Sequence, residues 1–227
     1  MIEITEKTLD AHEACPAGMN AFSKVFPNGF KGGWTPRMQE FILGDPNLKE
    51  FIDWAECEGL IELHSMAGWD LRGADLRDTN LGGVVFRGSD LRGAQLTSAS
   101  LGHTDFRGVN AANACFRSAS LLYTNAAGAV FRDANFGGAF LRLANMQRCT
   151  FKGADLMYAN LCEADCREAV FTGANLCYTS LRHVDFAGAI FIDTNLNYAI
   201  ITEGTLSPAQ LEGALGVDNI IWVPEED

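Results

Sequence analysis

Four histidines, seven cysteines and one glycine-rich run are the residues of this 227-residue chain whose types could do chemistry. A histidine becomes a metal ligand or a general base only with partners at bonding distance, so spacing decides. His12 and His64 stand alone, and His103 and His183 are far apart along the chain. The cysteines show no pair of short spacings of the zinc type. Asn28-Gly29-Phe30-Lys31-Gly32-Gly33 lacks the Walker spacing and its Ser or Thr, so it reads as a surface turn. No nucleophile stands beside a base. The residues imply no catalytic site, no metal and no cofactor, and the expectation is a non-enzymatic protein.

What positions these residues is a repeat. From Leu71 a large apolar residue recurs every five positions, through Leu76, Leu81, Phe86, Leu91 and onward to Phe191, Leu196 and Ile201. Ala111, Ala126 and Cys166 are small exceptions, and the phase never slips. Calling this residue i, position i−2 is small (Ala74, Thr79, Val84, Ser89), i−1 is often Asp or Asn, and i+2 is often Gly. A period of five fits neither a 3.6-residue helix nor a two-residue strand alternation. It fits a chain that turns a corner every five residues. Four sides close a square coil of 20 residues, and coils stack at strand spacing, roughly 4.8 Å. Positions i and i−2 then face inward and the other three face out. On this register His103 and His183 share a column but stand four coils, roughly 19 Å, apart. Cys149 and Cys166 fall inside, while Cys115, Cys162 and Cys177 fall outside.

The runs Gly73-Ala74-Asp75-Leu76-Arg77, Gly153-Ala154-Asp155-Leu156 and Gly173-Ala174-Asn175-Leu176 resemble the pentapeptide-repeat family. The resemblance implies a mainly β fold, a right-handed quadrilateral β-helix, over 69–201. It also implies interaction rather than catalysis, since several members mimic DNA and bind bacterial gyrase.

A solenoid needs caps at both ends. In 202–227, Ser207-Pro208-Ala209-Gln210 is a helix-start signature, with Leu211 and Leu215 on one face and Gly216 to end the helix. Ile220-Ile221-Trp222-Val223 then reads as a short strand or an apolar contact. In 1–68 the spacing predicts a small helical module: a helix capped by Thr5, another from Pro16 toward Phe26, and starts at Thr35-Pro36 and Asp45-Pro46. In the last helix Leu48, Phe51, Ile52 and Ala55 form an amphipathic stripe suited to capping the coil. Thr5, Leu9, Ala14, Cys15, Phe22, Phe26 and Pro27 resemble a module at the start of some phage-encoded proteins.

The net charge of −12 opposes binding to nucleic acid through phosphate neutralisation. That charge sits at the ends: 1–68 hold 11 acidic and 5 basic residues, 69–201 hold 12 of each, and 202–227 hold 6 acidic and none basic. No apolar run reaches the ~18 residues of a membrane span, and the start shows no secretory pattern. An odd cysteine count fits reduced thiols, so a bacterial cytoplasm is the expected setting, with a phage-encoded origin included.

Three outward columns are the candidate partner-binding residues. Val130, Thr150, Val170 and Ile190, with Thr172 and Ile192 beside them, place β-branched residues where Asp or Asn stands elsewhere. Asp105, Asp165 and Asp185 share a column with Asn125 and Asn145; they either imitate phosphates or bond turn backbone, with Arg87, Arg107 and Arg167 alongside. Tyr158, Tyr178 and Tyr198, spaced by 20, form either an aromatic contact strip or a ladder that stiffens a corner. Phe140 and Leu143 make a smaller patch, and Ile220, Ile221 and Trp222 are candidate homodimer contacts. The expected partner is a protein: DNA gyrase or another DNA-binding protein if mimicry holds, and a host or phage protein otherwise. An activity confined to the N-terminal module is the remaining alternative.

Overall fold

The computed structural model describes residues 66–225 and, before them, the backbone of Ile2–Ile4 and Phe30–Gly32. The chain divides into two compact units, Met1–Ser65 and Met66–Asp227. In the first, β1 (Ile2–Ile4) pairs antiparallel with β2 (Phe30–Gly32), Ile2 opposite Gly32 and Ile4 opposite Phe30. Half of the run read as a surface turn is therefore strand, because pairing with β1 gives its main-chain groups partners. The helices expected within 1–68 lie outside the described residues.

In the second unit, parallel bridges join each i−1 residue to its counterpart one coil further along, from Asp70 with Asp90 to Asn175 with Asn195. These bridges define the four-sided coil, with a corner at every fifth position. At nearly all corners the N–H of the next i−2 residue donates to the carbonyl of i, as from Ala74 to Leu71 at 3.1 Å. Between coils, the N–H of i donates to the carbonyl of the i−1 residue one coil ahead, as from Leu121 to Phe140 at 2.7 Å. Every i+2 residue from Gly68 to Tyr198 has positive φ, as a turn with a left-handed third residue requires. Gly173 adopts φ 67 freely, whereas the same backbone at Leu143, φ 59, costs about 1 kcal/mol or more. None of the non-glycine residues at this position is β-branched, the side-chain class that left-handed backbone tolerates least.

The interior is filled. Leu101, Leu121, Leu141 and Leu161 are fully buried, and Phe131, Phe151, Phe171 and Phe191 stack down one wall with ring centroids 5.3, 5.1 and 5.2 Å apart. Each such side chain contributes roughly 1.5–3 kcal/mol by burial. Hydroxyls at i−2 are tolerated inside because the coil above supplies an acceptor. Thr124, Thr179 and Thr194 donate to the carbonyls of Leu101, Leu156 and Phe171 at 2.8, 2.8 and 2.7 Å. We number the walls by their inward residues: Phe131 to Phe191 on the first, Phe136 to Leu196 on the second, Leu121 to Leu181 on the third, and Phe106 to Phe186 on the fourth.

At the C-terminal end β3 (Ser180–Leu181), β4 (Ile200–Thr202) and β5 (Ile221–Val223) stack in parallel as three successive rungs of the third wall. Between the last two runs α1 (Pro208–Leu211), capped by a full Ser207–Gln210 box. The Gln210 amide also donates to the carbonyls of Phe186 and Ala189 at 2.8 and 3.2 Å, fastening the helix to the coil. The helix is one turn, shorter than its start signal and the Leu211–Leu215 spacing imply. Leu215 instead joins the rung of Asn195, donating to Thr194 and accepting from Leu196, both at 2.8 Å. The last coil's main-chain groups would otherwise lack protein partners, and this pairing outweighs a second helical turn.

Candidate interaction surfaces

The Asp and Asn column has a structural task. At i−1 the side-chain oxygen accepts the N–H of i+1, the one turn donor that the coil leaves free. Asn135 accepts from Gly137 at 2.9 Å, Asn145 from Gln147 at 3.1 Å, and Asp105 and Asp165 from Arg107 and Arg167 at 3.2 Å. Ion pairing is also regular. Where a carboxylate stands two positions before an i+1 arginine, or 18 after it, the arginine pairs with it. Arg142 has neither and reaches Glu163 instead, at 2.5 Å. Asp105 holds Arg107 at 2.7 Å and Arg87 at 2.9 Å. Asp165 holds Arg167 at 2.7 Å and accepts from the Gln147 amide at 2.6 Å, and Arg167 also reaches Asp185 at 3.6 Å. The Arg167 guanidinium keeps the Asp165 carboxyl below the usual carboxylate range, against the opposing effect of burial. Asp105, Asp165 and Asp185 thus form an aligned column, and each is engaged by arginine.

The first wall changes character along its length. Near the N-terminal end Asp70, Arg72, Asp90 and Arg92 form a charged ladder. Further down, i−1 becomes Val130, Thr150, Val170 and Ile190, which bridge one to the next. Ile190 is 43% exposed and its neighbour Ile192 54%, with Thr172 in the coil above half-buried. None of these side chains serves the turn. Among the described residues, no protein group accepts the main-chain N–H of Arg132, Lys152, Thr172 or Ile192.

The three tyrosines stack in one column at i+2 of the second wall: Tyr158 on Tyr178 at 5.2 Å and Tyr178 on Tyr198 at 4.9 Å. On the third wall Phe140 is 50% exposed and Leu143 half-buried, with exposed Leu122 and Tyr123 in the coil above. These two neighbours of the patch were missed by sequence reasoning, although their place in the register marks them as outward. His103 stacks on Tyr123 at 4.9 Å, and His183, four coils below in the same column, does not meet it. Cys149 and Cys166 are buried. The Cys149 thiol, which donates to the Ala126 carbonyl at 3.0 Å, is pushed by burial up to about 12. Cys115 and Cys162 lie part-buried against the hydroxyls of Thr97 and Ser180. At the end of the rod Ile220 is buried, whereas Ile221 and Trp222 are 47% and 38% exposed on β5, the edge strand of its sheet.

A pentapeptide-repeat family model matches in overlapping segments from residue 70 to 207, with eight copies of the repeat. The chain belongs to the pentapeptide repeat family. Its fold is similar to that of a trypsin-treated form of QnrB1, a plasmid-mediated fluoroquinolone resistance protein: 17% identity, 71% of this chain and 88% of that one covered, TM-score 0.45. It is also similar to a pentapeptide repeat protein from the thylakoid lumen of Arabidopsis thaliana, with 22% identity, 59% and 83% coverage and a TM-score of 0.27. A third likeness is to a pentapeptide repeat protein of the cyanobacterium Cyanothece 51142, with 23% identity, 61% and 90% coverage and a TM-score of 0.21. No curated protein matches the chain.

Proposed function

We propose that this chain is a non-enzymatic interaction protein whose β-helix docks a protein partner through the lower first wall. The observation that carries the reading is the replacement of Asp or Asn by Val130, Thr150, Val170 and Ile190 in four successive coils. Each replacement gives up a turn hydrogen bond worth roughly 0.5–1.5 kcal/mol. Each also leaves apolar surface in water, which Ile192 extends. The fold gains little from either change. A partner that covers the strip gains from both, by burying the side chains and accepting from the four free N–H groups.

Bacterial DNA gyrase is the partner that the family resemblance brings first to the test. Docking is favoured over phosphate mimicry, because Asp105 and Asp165 are each engaged by cationic or amide donors and residues 69–201 carry no net charge. The experiment titrates the purified protein into gyrase supercoiling with and without a fluoroquinolone, beside an Ile190→Lys/Ile192→Lys double variant. A dose-dependent effect that the double variant loses supports the reading. Supercoiling and drug sensitivity untouched at micromolar protein remove gyrase as the partner.

A second reading is favoured by the edge strand β5 and by exposed Leu215, Ile221 and Trp222 at the end of the rod. An unpaired edge beside apolar side chains invites a second copy. Light scattering at high concentration decides it, and a monomer mass rules the homodimer out.

A further inference from the structure

The tyrosine ladder is closed at its foot and open at its head. Below Tyr198 the main chain of Asn219 takes the next rung, and the Asn219 amide donates to Asn197 at 2.7 Å. Above Tyr158 the same column continues as Gly138 and then Ser118. Gly138 has no side chain to cover the upper ring face, and Tyr158 is 62% exposed against 45% and 44% for the rings beneath it. The neighbouring i+1 position is also bare. At Gly137 a Cβ would stand 3.1 Å from the Asn135 oxygen, which accepts from the Gly137 N–H at 2.9 Å, so a side chain here would crowd that acceptor. Two adjacent glycines thus cut a notch one coil deep, with Tyr158 and Met157 as its floor. Its roof is the coil of Arg117 and Ser118, two strand spacings or roughly 10 Å above Tyr158.

The roof supplies a charge. The Arg117 Cγ lies 3.9 Å from where a Cβ of Gly137 would be, and the Ser118 hydroxyl 3.8 Å from one at Gly138. The two positions where an i+1 arginine of this coil finds its carboxylate are, for Arg117, Cys115 and Asn135. Nor does it reach an acid elsewhere, as Arg142 reaches Glu163; among the described residues Arg117 makes no ion pair. A flat ring surface stands open below, and the stem of Arg117, which makes no ion pair among the described residues, borders the same gap.

We propose that the Gly137–Gly138 notch receives an aromatic side chain of a protein partner, presented beside a carboxylate that pairs with Arg117. The ring continues the ladder at the spacing the three tyrosines already use, and one guanidinium matches one carboxylate. A nucleic acid would offer a base to stack but brings a row of phosphates. Against those the notch offers Arg117 alone among the described residues, on a chain of net charge −12. The inference deepens the interaction reading but stands on a different wall, so it can fail while docking on the first wall survives.

The test uses the full chain with ring-¹³C tyrosine, the signals of its four tyrosines being assigned by single Tyr→Phe variants. The probe is N-acetyl-aspartyl-tryptophan amide, titrated at low salt into the millimolar range. The Tyr158 signal should move progressively while Tyr123 stays in place. N-acetyl-lysyl-tryptophan amide should bind more weakly by about threefold or more, as should the aspartyl probe on Arg117→Gln. Gly138→Tyr should abolish the shift by filling the notch with the residue that the column carries at Tyr158, Tyr178 and Tyr198. Tyr158→Leu, which removes the floor, is the second variant, and it should abolish shifts at the remaining tyrosines below the notch. A Tyr158 signal that does not move, equal movement at Tyr123, or an unaltered response in either notch variant overturns the proposal. Tighter binding of thymidine monophosphate than of the dipeptide overturns it in favour of nucleic acid.

Discussion

Replacing Val170 with Asn separates what the first wall does for the fold from what it offers a partner. Val170 is half-buried, so it realises about half of the ~1.5 kcal/mol that full burial of a valine is worth, and its loss costs roughly 0.7 kcal/mol. An Asn in its place stands as Asn135 does, whose side-chain oxygen accepts from Gly137 at 2.9 Å. Its acceptor would meet the free N–H of Thr172 and return about 0.5–1.5 kcal/mol. The net change is within about 1 kcal/mol of zero, with a small stabilisation as the central expectation. The mirror substitution, Asn135→Val, leaves the Gly137 N–H unpaired and should destabilise by about 1 kcal/mol. Urea unfolding followed by circular dichroism measures both. Val170→Asn should keep the parent midpoint while losing any effect on the partner. A loss of more than ~2 kcal/mol for Val170→Asn would show that the column is kept for its own packing, and the docking reading would lose its support.

Other expectations are simpler to state. Leu121→Asp puts a charge into a fully enclosed position and should abolish cooperative unfolding of the coil, read by circular dichroism; an unchanged melting temperature contradicts the filled interior. Hydrogen bonds from Arg167 and Arg92 hold Asp165 and Asp90 below the usual carboxylate range. A depressed folded value means stabilisation present above the unfolded value of ~3.9 and lost as pH falls through the folded one. Stability should therefore drop below about pH 4, and Asp165→Asn should flatten that drop; an identical acid limb in the variant refutes it. Burial pushes Cys149 to about 12 and Cys166 well above its ordinary value. Iodoacetamide near pH ~8 should label Cys115 and Cys162 in the folded protein and reach Cys149 and Cys166 only in urea; peptide mass mapping checks this, and equal labelling counts against it.

The interior was legible from sequence because a chain that turns a corner every five residues lets residues such as Leu91, Leu96 and Leu101 all face inward at a spacing of five. The turn role of Asn135 and Asn145 was legible for a related reason: Asp or Asn, a short side-chain acceptor, recurs at the same place beside many of the corners. The start of α1 was readable in Ser207 and Gln210, but its end was not. Leu215 leaves the helix to pair with the rung of Asn195, a full coil earlier, and no local pattern announces that demand. The outward columns were placed correctly on their walls, and Tyr158, Tyr178 and Tyr198 do stack. Their purpose stayed open because solvent accepts almost any residue there. The Gly137–Gly138 notch went unnoticed although its signal was present: glycine interrupts the tyrosine column one coil above Tyr158. Arg117 needed the structure, since its isolation is evident only once the pairing of its neighbours is known.

Because each rung rests on the one a full coil earlier, any surface side chain has an address made of a height and a compass bearing. Inserting a single extra side would preserve every inward and outward role yet swing everything downstream by a quarter of the perimeter. Inserting a whole coil would restore the bearing and only lengthen the rod, by roughly 4.8 Å. The first edit would keep the protein folded while turning its lower contacts away from whatever they meet. In such a molecule the bearing of a binding face can be inherited, lost or exchanged without the core registering the change.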